Sequence, residues 1–140
     1  MPAPPAGYSG TPLWKKLGIR AGVTVVTVNA PANYTELLSG HPADVTCADE
    51  AEPPVGFVHL FVSAKADLAK RLPSLLAALA PDGAIWVSWP KKAAKVPTDI
   101  TESTIREVAL PLGLVDVKVC AVDAVWSGLK LVIRVANRKK

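Results

Sequence analysis

Three short runs, each apolar on both faces, constrain this chain more than any other feature. They are Val23-Thr24-Val25-Val26-Thr27-Val28, Phe57-Val58-His59-Leu60-Phe61-Val62 and Ala84-Ile85-Trp86-Val87-Ser88-Trp89. Rich in β-branched and aromatic residues, they read as strands. With no polar alternation they have no solvent face and must be covered above and below. Between the second and third, Leu68, Leu72, Leu75, Leu76 and Leu79 recur at helical spacing and give one apolar face. Double-faced strands alternating with amphipathic helices predict an α/β fold: three layers around a mostly parallel, Rossmann-like sheet.

The remaining segments extend this pattern. Thr11-Pro12 opens a short helix over 12–17 that ends at Gly18, and Arg20-Ala21-Gly22 turns the chain into the first strand. A second short helix spans 33–38 and a weaker strand spans 44–48. Ser63 is placed to cap the leucine-rich helix, and Pro73 predicts a kink or restart inside it. Pro81-Asp82-Gly83 reads as a tight turn. Thr101 opens a helix reaching about residue 110. Strands over 117–122 and 129–135 form a terminal antiparallel hairpin around a turn at 123–128, with the second strand as its exposed edge. The expected organisation is an extended segment over 1–10, a single domain over 11–136 and a basic tail over 137–140.

Composition excludes several classes. In 140 residues, half are hydrophobic and 20% are charged, which is not the balance of a disordered chain. The net charge of +4 includes Arg138, Lys139 and Lys140, so the body carries only +1 and nucleic-acid binding is not expected. Residues 41–56 hold acids and no Lys or Arg, while 91–95 hold Lys91, Lys92 and Lys95 and no acid. Cys47 and Cys120 fit no metal or CxxC spacing and read as reduced, buried thiols. No segment has the ~20 apolar residues of a membrane span, and the N-terminus has no secretory pattern, so a cytoplasmic location is expected.

Two resemblances attach to particular residues. Leu75-Leu76-Ala77-Ala78-Leu79-Ala80-Pro81-Asp82-Gly83-Ala84-Ile85-Trp86-Val87 is similar to the helix, turn and strand of class I S-adenosylmethionine-dependent methyltransferases, as is the terminal hairpin. This implies their fold over about residues 20–136. Gly7-Tyr8-Ser9-Gly10-Thr11-Pro12-Leu13, Lys15-Lys16-Leu17-Gly18-Ile19, Asn29-Ala30-Pro31, Trp89-Pro90-Lys91-Lys92 and Val119-Cys120-Ala121-Val122-Asp123 with Trp126-Ser127 resemble a family of small bacterial proteins of unknown function. That second resemblance covers nearly the whole chain and implies a bacterial source, but no activity.

The chemistry expected of a methyltransferase is missing where it should be densest. The turn after the first strand must let backbone approach the cofactor, which calls for glycine. Here it reads Asn29-Ala30-Pro31-Ala32-Asn33, with no glycine and with a proline that lacks an N–H. S-adenosylmethionine is possible but disfavoured, and no other cofactor is predicted. Asp49 lies about 20 residues beyond Asn29, where such folds place a ribose-binding acid; an acid in an exposed loop is the simpler reading. His59 reads as a satisfied core histidine, and His41 precedes a proline in a turn. Neither has a Cys, Asp or Glu at metal-ligand spacing.

Ligands of open α/β sheets bind outside the carboxyl ends of the strands. The polar, aromatic and lysine-bearing segments converge on that edge. Candidate ligand-binding residues are Tyr8, Ser9, Asn29, Ser63, Trp89, Lys91, Lys92, Asp123 and Trp126, with Asp49 as a weaker cofactor candidate. The opposite edge receives Arg20-Ala21-Gly22, Pro81-Asp82-Gly83 and Leu112-Gly113, which read as plain turns. The mixture suits a small anionic or planar ligand. Core packing for the tryptophans, solvation for the lysines and turn formation for Asn29 and Asp123 explain the same residues without a ligand. Three functions stay open: a small-ligand-binding protein, an interaction module or homodimer paired through the terminal hairpin, and an atypical methyltransferase.

Overall fold

The computed structural model describes residues 12–50 and 52–134. The elements are α1 (Leu13–Lys16), β1 (Thr24–Val28), α2 (Tyr34–Leu37), β2 (Thr46–Ala48), β3 (Val55–Phe61), α3 (Lys65–Ala78), β4 (Leu79–Pro90), α4 (Glu102–Ala109), β5 (Leu114–Ala121) and β6 (Trp126–Ile133), with short 3-10 turns at Lys92–Ala94 and Leu110–Leu112. The six strands form one sheet in the order β2-β1-β3-β4-β6-β5. The first four are mutually parallel, and β6 runs antiparallel between β4 and β5. This is the expected three-layer α/β sheet with a terminal hairpin.

The period of two along each central strand divides the core. Phe57 and Phe61 of β3 and Trp86 of β4 pack on one face with Leu13 and Leu17 at α1 and Tyr34 and Leu38 at α2. Val58, Leu60 and Val62, with Ile85, Val87 and Trp89, pack on the other face against Leu68 and Leu72 of α3 and Ile105 and Ala109 of α4. Apolar residues at consecutive positions therefore meet a helix layer on each side.

Several local expectations change. α3 continues through Pro73 instead of restarting. Ser63 does not cap it; the carboxylate of Asp99 accepts from the Lys65 N–H at 2.7 Å and closes that helix end from another loop. Pro81-Asp82-Gly83 lies within the irregular start of β4, where Val55 pairs with Leu79 but Phe57 pairs with Ala84. The hairpin strands begin three residues earlier than expected. Gly113, at φ 89°, releases the chain directly into β5. Strand β6 is paired on both sides, so the free edge of the hairpin is β5 and not the segment 129–135.

α4 opens on a reciprocal cap. The Thr104 N–H donates to the Thr101 hydroxyl, and the Thr101 N–H donates to the Thr104 hydroxyl. Arg106 then bridges Glu102 on its own helix and Asp116 on β5. Cys47 and Cys120 are free thiols, but Cys47 is exposed on the edge strand β2 and Cys120 is half-buried. A three-residue edge strand buries too little to hide it. No helix among the described residues is long and apolar enough to cross a membrane.

Candidate ligand site at the carboxyl edge

The carboxyl ends of β1, β2, β3, β4 and β5 share one edge of the sheet with the start of β6. Strand order reverses between β1 and β3, since β2 lies on one side of β1 and β3 on the other. Open α/β folds place ligands in the crevice at such a reversal. Here a side chain bridges it: the Asn29 amide donates to the Phe61 carbonyl oxygen at 3.3 Å, joining the end of β1 to the end of β3. Asn29 sits at φ 59°, a left-handed conformation that asparagine tolerates better than most residues.

The other expected site residues divide into three groups. Asp123 shapes a turn, its carboxylate oxygen accepting from the N–H groups of Val125 and Trp126, both at 2.8 Å. Trp126, half-buried, meets Phe61 edge to face with ring centres 5.0 Å apart and pairs in register with Pro90. The Lys91 N–H donates to the Val125 carbonyl at 2.7 Å, which ties the end of β4 to the hairpin turn. These residues form the rim. Trp89 is buried, yet it lines a cavity of about 480 Å³ with Pro90, Lys92, Thr98, Thr101 and Ser103. Ser63 stands beside this cavity, its carbonyl accepting from the Thr98 hydroxyl at 2.7 Å. Asp49 is exposed just past β2, apart from both groups. Tyr8 and Ser9 lie outside the described residues.

Sequence reasoning missed Thr98, Thr101 and Ser103. The hydroxyl-rich stretch before α4 was the available signal. It also left unlinked a polar chain that folding assembles in the core. The Tyr34 hydroxyl lies 2.8 Å from His59 Nδ1, and His59 Nε2 lies 2.7 Å from the Ser88 hydroxyl. His59 and Ser88 are fully buried and Tyr34 is nearly so. Both imidazole nitrogens are thus satisfied, and His59 is the core histidine that its strand position implies. Burial pushes its pKa down to about 3 and pushes the Tyr34 hydroxyl well above its usual range. Among the described residues no group of three or more His, Cys, Asp or Glu side chains is placed to hold a metal ion.

A family model described as "Protein of unknown function (DUF3052)" matches residues 43–135. The chain belongs to this family. None of the curated proteins matches it. Among solved structures, this DUF3052 chain is similar to a putative type 11 methyltransferase from Sulfolobus solfataricus, with 13% identity over 91% of this chain and 93% of that one, at a TM-score of 0.60. It is also similar to a protein described as a pericyclic reaction enzyme, with 12% identity and a TM-score of 0.51. A third is LepI in complex with SAM, with 14% identity and a TM-score of 0.50. The last two alignments cover 87% of this chain but only 39% of each relative. At these identities the likeness establishes the methyltransferase fold alone.

Whether the cofactor of that fold suits this DUF3052 chain turns on the loop after β1. Pro31 has no N–H to offer, Ala30 carries a Cβ, and the Asn29 amide spans the crevice to Phe61. These residues do not make the glycine cradle that close backbone approach to the cofactor requires.

Proposed function

We propose that the chain is a small-ligand-binding α/β protein that takes an anionic or planar molecule at the carboxyl edge, with binding rather than catalysis as its role. The observation that carries this is the cavity of about 480 Å³ beside Trp89, Lys92, Thr101 and Ser103. Its volume lies within the range of small-molecule sites, and it combines one apolar wall with a few polar groups. Lys92 supplies an exposed cation, the Ser103 hydroxyl a donor and Trp89 an apolar wall, while Glu102, which also lines the cavity, is paired with Arg106. Trp89 is otherwise core, so only a small part of it is open to the cavity.

Thermal unfolding with aromatic carboxylates, nucleoside phosphates and S-adenosylmethionine tests the reading. A ligand at 100 times its dissociation constant adds about 2.7 kcal/mol of stability. The expected result is stabilisation by an anionic compound that Lys92→Ala removes. Silence from the whole panel, or stabilisation that survives Lys92→Ala, would overturn it. Stabilisation by S-adenosylmethionine alone would favour the atypical methyltransferase.

A second reading, pairing of two copies along β5, is supported by Val117 and Val119, which are 55% and 52% exposed on that edge strand. The irregular register between Asp116 and Lys118, and the edge lysine itself, work against it. Sedimentation of the wild type and of Val119→Lys distinguishes them. A dimer dissociated by the substitution supports the second reading, and a monomer at high concentration removes it.

A further inference from the structure

A larger cavity lies at the other end of the sheet. It measures about 680 Å³, and its lining includes Arg20, Thr24, Glu52, Asp82 and Lys130, over a floor that includes Gly56 and Ala84. Its origin is local. α1 has only four residues, about 6 Å of helix, and the chain that follows it (Gly18, Arg20, Gly22 and Val23) lines the cavity together with the amino ends of β3 and β4. Gly18, Gly22, Gly56 and Ala84 line it with little or no side chain.

Lys130 is the anomaly in this cavity. It stands in an interior strand, opposite Trp86 on one side and Lys118 on the other. Its residue is half-buried, and its ammonium reaches the end of α1, where a Cβ on Gly18 would lie 3.7 Å from it. The neighbouring Lys118 is satisfied by the Lys16 carbonyl at 2.9 Å. The Lys130 ammonium has no hydrogen bond or ion pair to any described residue. A half-buried cation that makes no ion pair, in a cavity that Arg20 also lines, is placed to meet an anion.

The remaining lining specifies more than an anion. Glu52 and Asp82 accept hydrogen bonds, and Thr24 both donates and accepts. Two cations and two carboxylates leave the lining balanced in charge, so a molecule with an anionic head for the cations and hydroxyls that donate to the carboxylates matches it better than an anion alone. We propose that this amino-edge cavity is a binding site for a phosphorylated polyol, with Lys130 and Arg20 on the phosphate and Asp82, Glu52 and Thr24 on the hydroxyls. The site is separate from the one at the carboxyl edge and does not depend on it.

The test is calorimetric titration with glycerol 3-phosphate, ribose 5-phosphate and glucose 6-phosphate, alongside glucose and inorganic phosphate. At least one ester is expected to bind saturably, with glucose and inorganic phosphate each weaker by about tenfold or more, as loss of a charge-assisted or multiply bonded group implies. Lys130→Met, which keeps most of the aliphatic stem, and Arg20→Ala, in an exposed turn, are each expected to weaken the ester by about tenfold. Lys92→Ala is expected to leave it unchanged, which separates this site from the carboxyl-edge cavity. Should Lys130→Met fail to fold by circular dichroism, Arg20→Ala decides. Failure of all three esters to bind overturns the proposal. So does inorganic phosphate binding as tightly as its esters, or an affinity that falls in Lys92→Ala but not in the Arg20 and Lys130 variants.

Discussion

The indole N–H of Trp86 donates to the Leu17 carbonyl oxygen at 2.9 Å, pinning the centre of the sheet to the end of α1. Trp14, three residues earlier than Leu17, has the opposite standing: its indole N–H is buried without a hydrogen-bond partner among the described residues. Removing a made bond strands a buried carbonyl, whereas removing an unmade one strands nothing. Trp86→Phe is therefore expected to destabilise the protein by at least about 1 kcal/mol more than Trp14→Phe. Urea unfolding of the two variants, followed by circular dichroism, measures the difference. Equal midpoints would contradict it.

The Tyr34–His59–Ser88 chain makes stability depend on pH in a defined direction. The folded-state pKa of His59 is lowered to about 3, against an unfolded value near 6.5. Its contribution is complete above about pH 6.5 and falls with pH below it, because the unfolded chain takes up a proton that the core refuses. The slope approaches about 1.4 kcal/mol per pH unit between pH 5.5 and 3.5 from this group alone. Tyr34, shifted upward, gives the mirror effect: stability falls as pH rises above about 10. His59→Gln is expected to lower stability at pH 7 and to flatten the decline between pH 6.5 and 5. An unchanged slope in that window would mean that His59 is not the group responsible.

The strands that are apolar on both faces were legible because burial on two sides leaves no other pattern. Residues 23–28, 57–62 and 84–89 became β1, the core of β3 and the core of β4. The hairpin edge was not legible. Chain order places 129–135 last, but β6 enters between β4 and β5, and Gly128 explains why it fits. A Cβ there would meet Trp86 at 3.2 Å and Val122 at 3.3 Å, so any side chain would require these neighbours to give way, and glycine avoids that. Strand direction brings Asn29, Ser63, Trp89, Lys91, Lys92, Asp123 and Trp126 to the carboxyl edge, yet several are spent on structure. Asp123 closes its turn, Asn29 bridges two strands, and Trp126 packs on Phe61. The amino-edge cavity was not legible although the short helix over 12–17 was, because the segments around it carry ordinary turn residues and Lys130 joins them only through strand pairing.

Gly83 and Gly56 both lie in the irregular start of the β3–β4 pair and should respond oppositely to a methyl group. A Cβ on Gly83 would lie 2.7 Å from Leu79 Cδ1 and 3.0 Å from the Val55 carbonyl oxygen, while one on Gly56 meets nothing within 4 Å. Gly83→Ala is expected to cost about 1–3 kcal/mol through overpacking. Gly56→Ala is expected to be neutral, or to stabilise by up to about 1 kcal/mol by restricting the unfolded chain. Thermal midpoints of the pair check both signs. Because Gly56 lies on the floor of the amino-edge cavity, the same variant narrows that cavity without disturbing the fold.

Asn29 combines a left-handed backbone with the amide bond that closes the β1–β3 crevice, and substitutions separate the two contributions. Its φ of 59° disfavours any residue with a Cβ, and its side chain recovers part of that cost through the 3.3 Å bond to the Phe61 carbonyl. Asn29→Ala keeps the strain and loses the bond, so a loss of about 1–2 kcal/mol is expected. Asn29→Gly loses the bond but relieves the strain, and it is expected to fall within about 0.5 kcal/mol of the wild type. Equal losses in the two variants would place the whole effect in the amide bond; a loss in neither would remove Asn29 as a clasp. The glycine variant also unbridges the strand-order reversal, the one place where this fold would otherwise open to a ligand between β1 and β3. If that bridge is what keeps the crevice closed, amide exchange at the ends of β1 and β3 is faster in Asn29→Gly than in the wild type, although the two proteins unfold at nearly the same urea concentration.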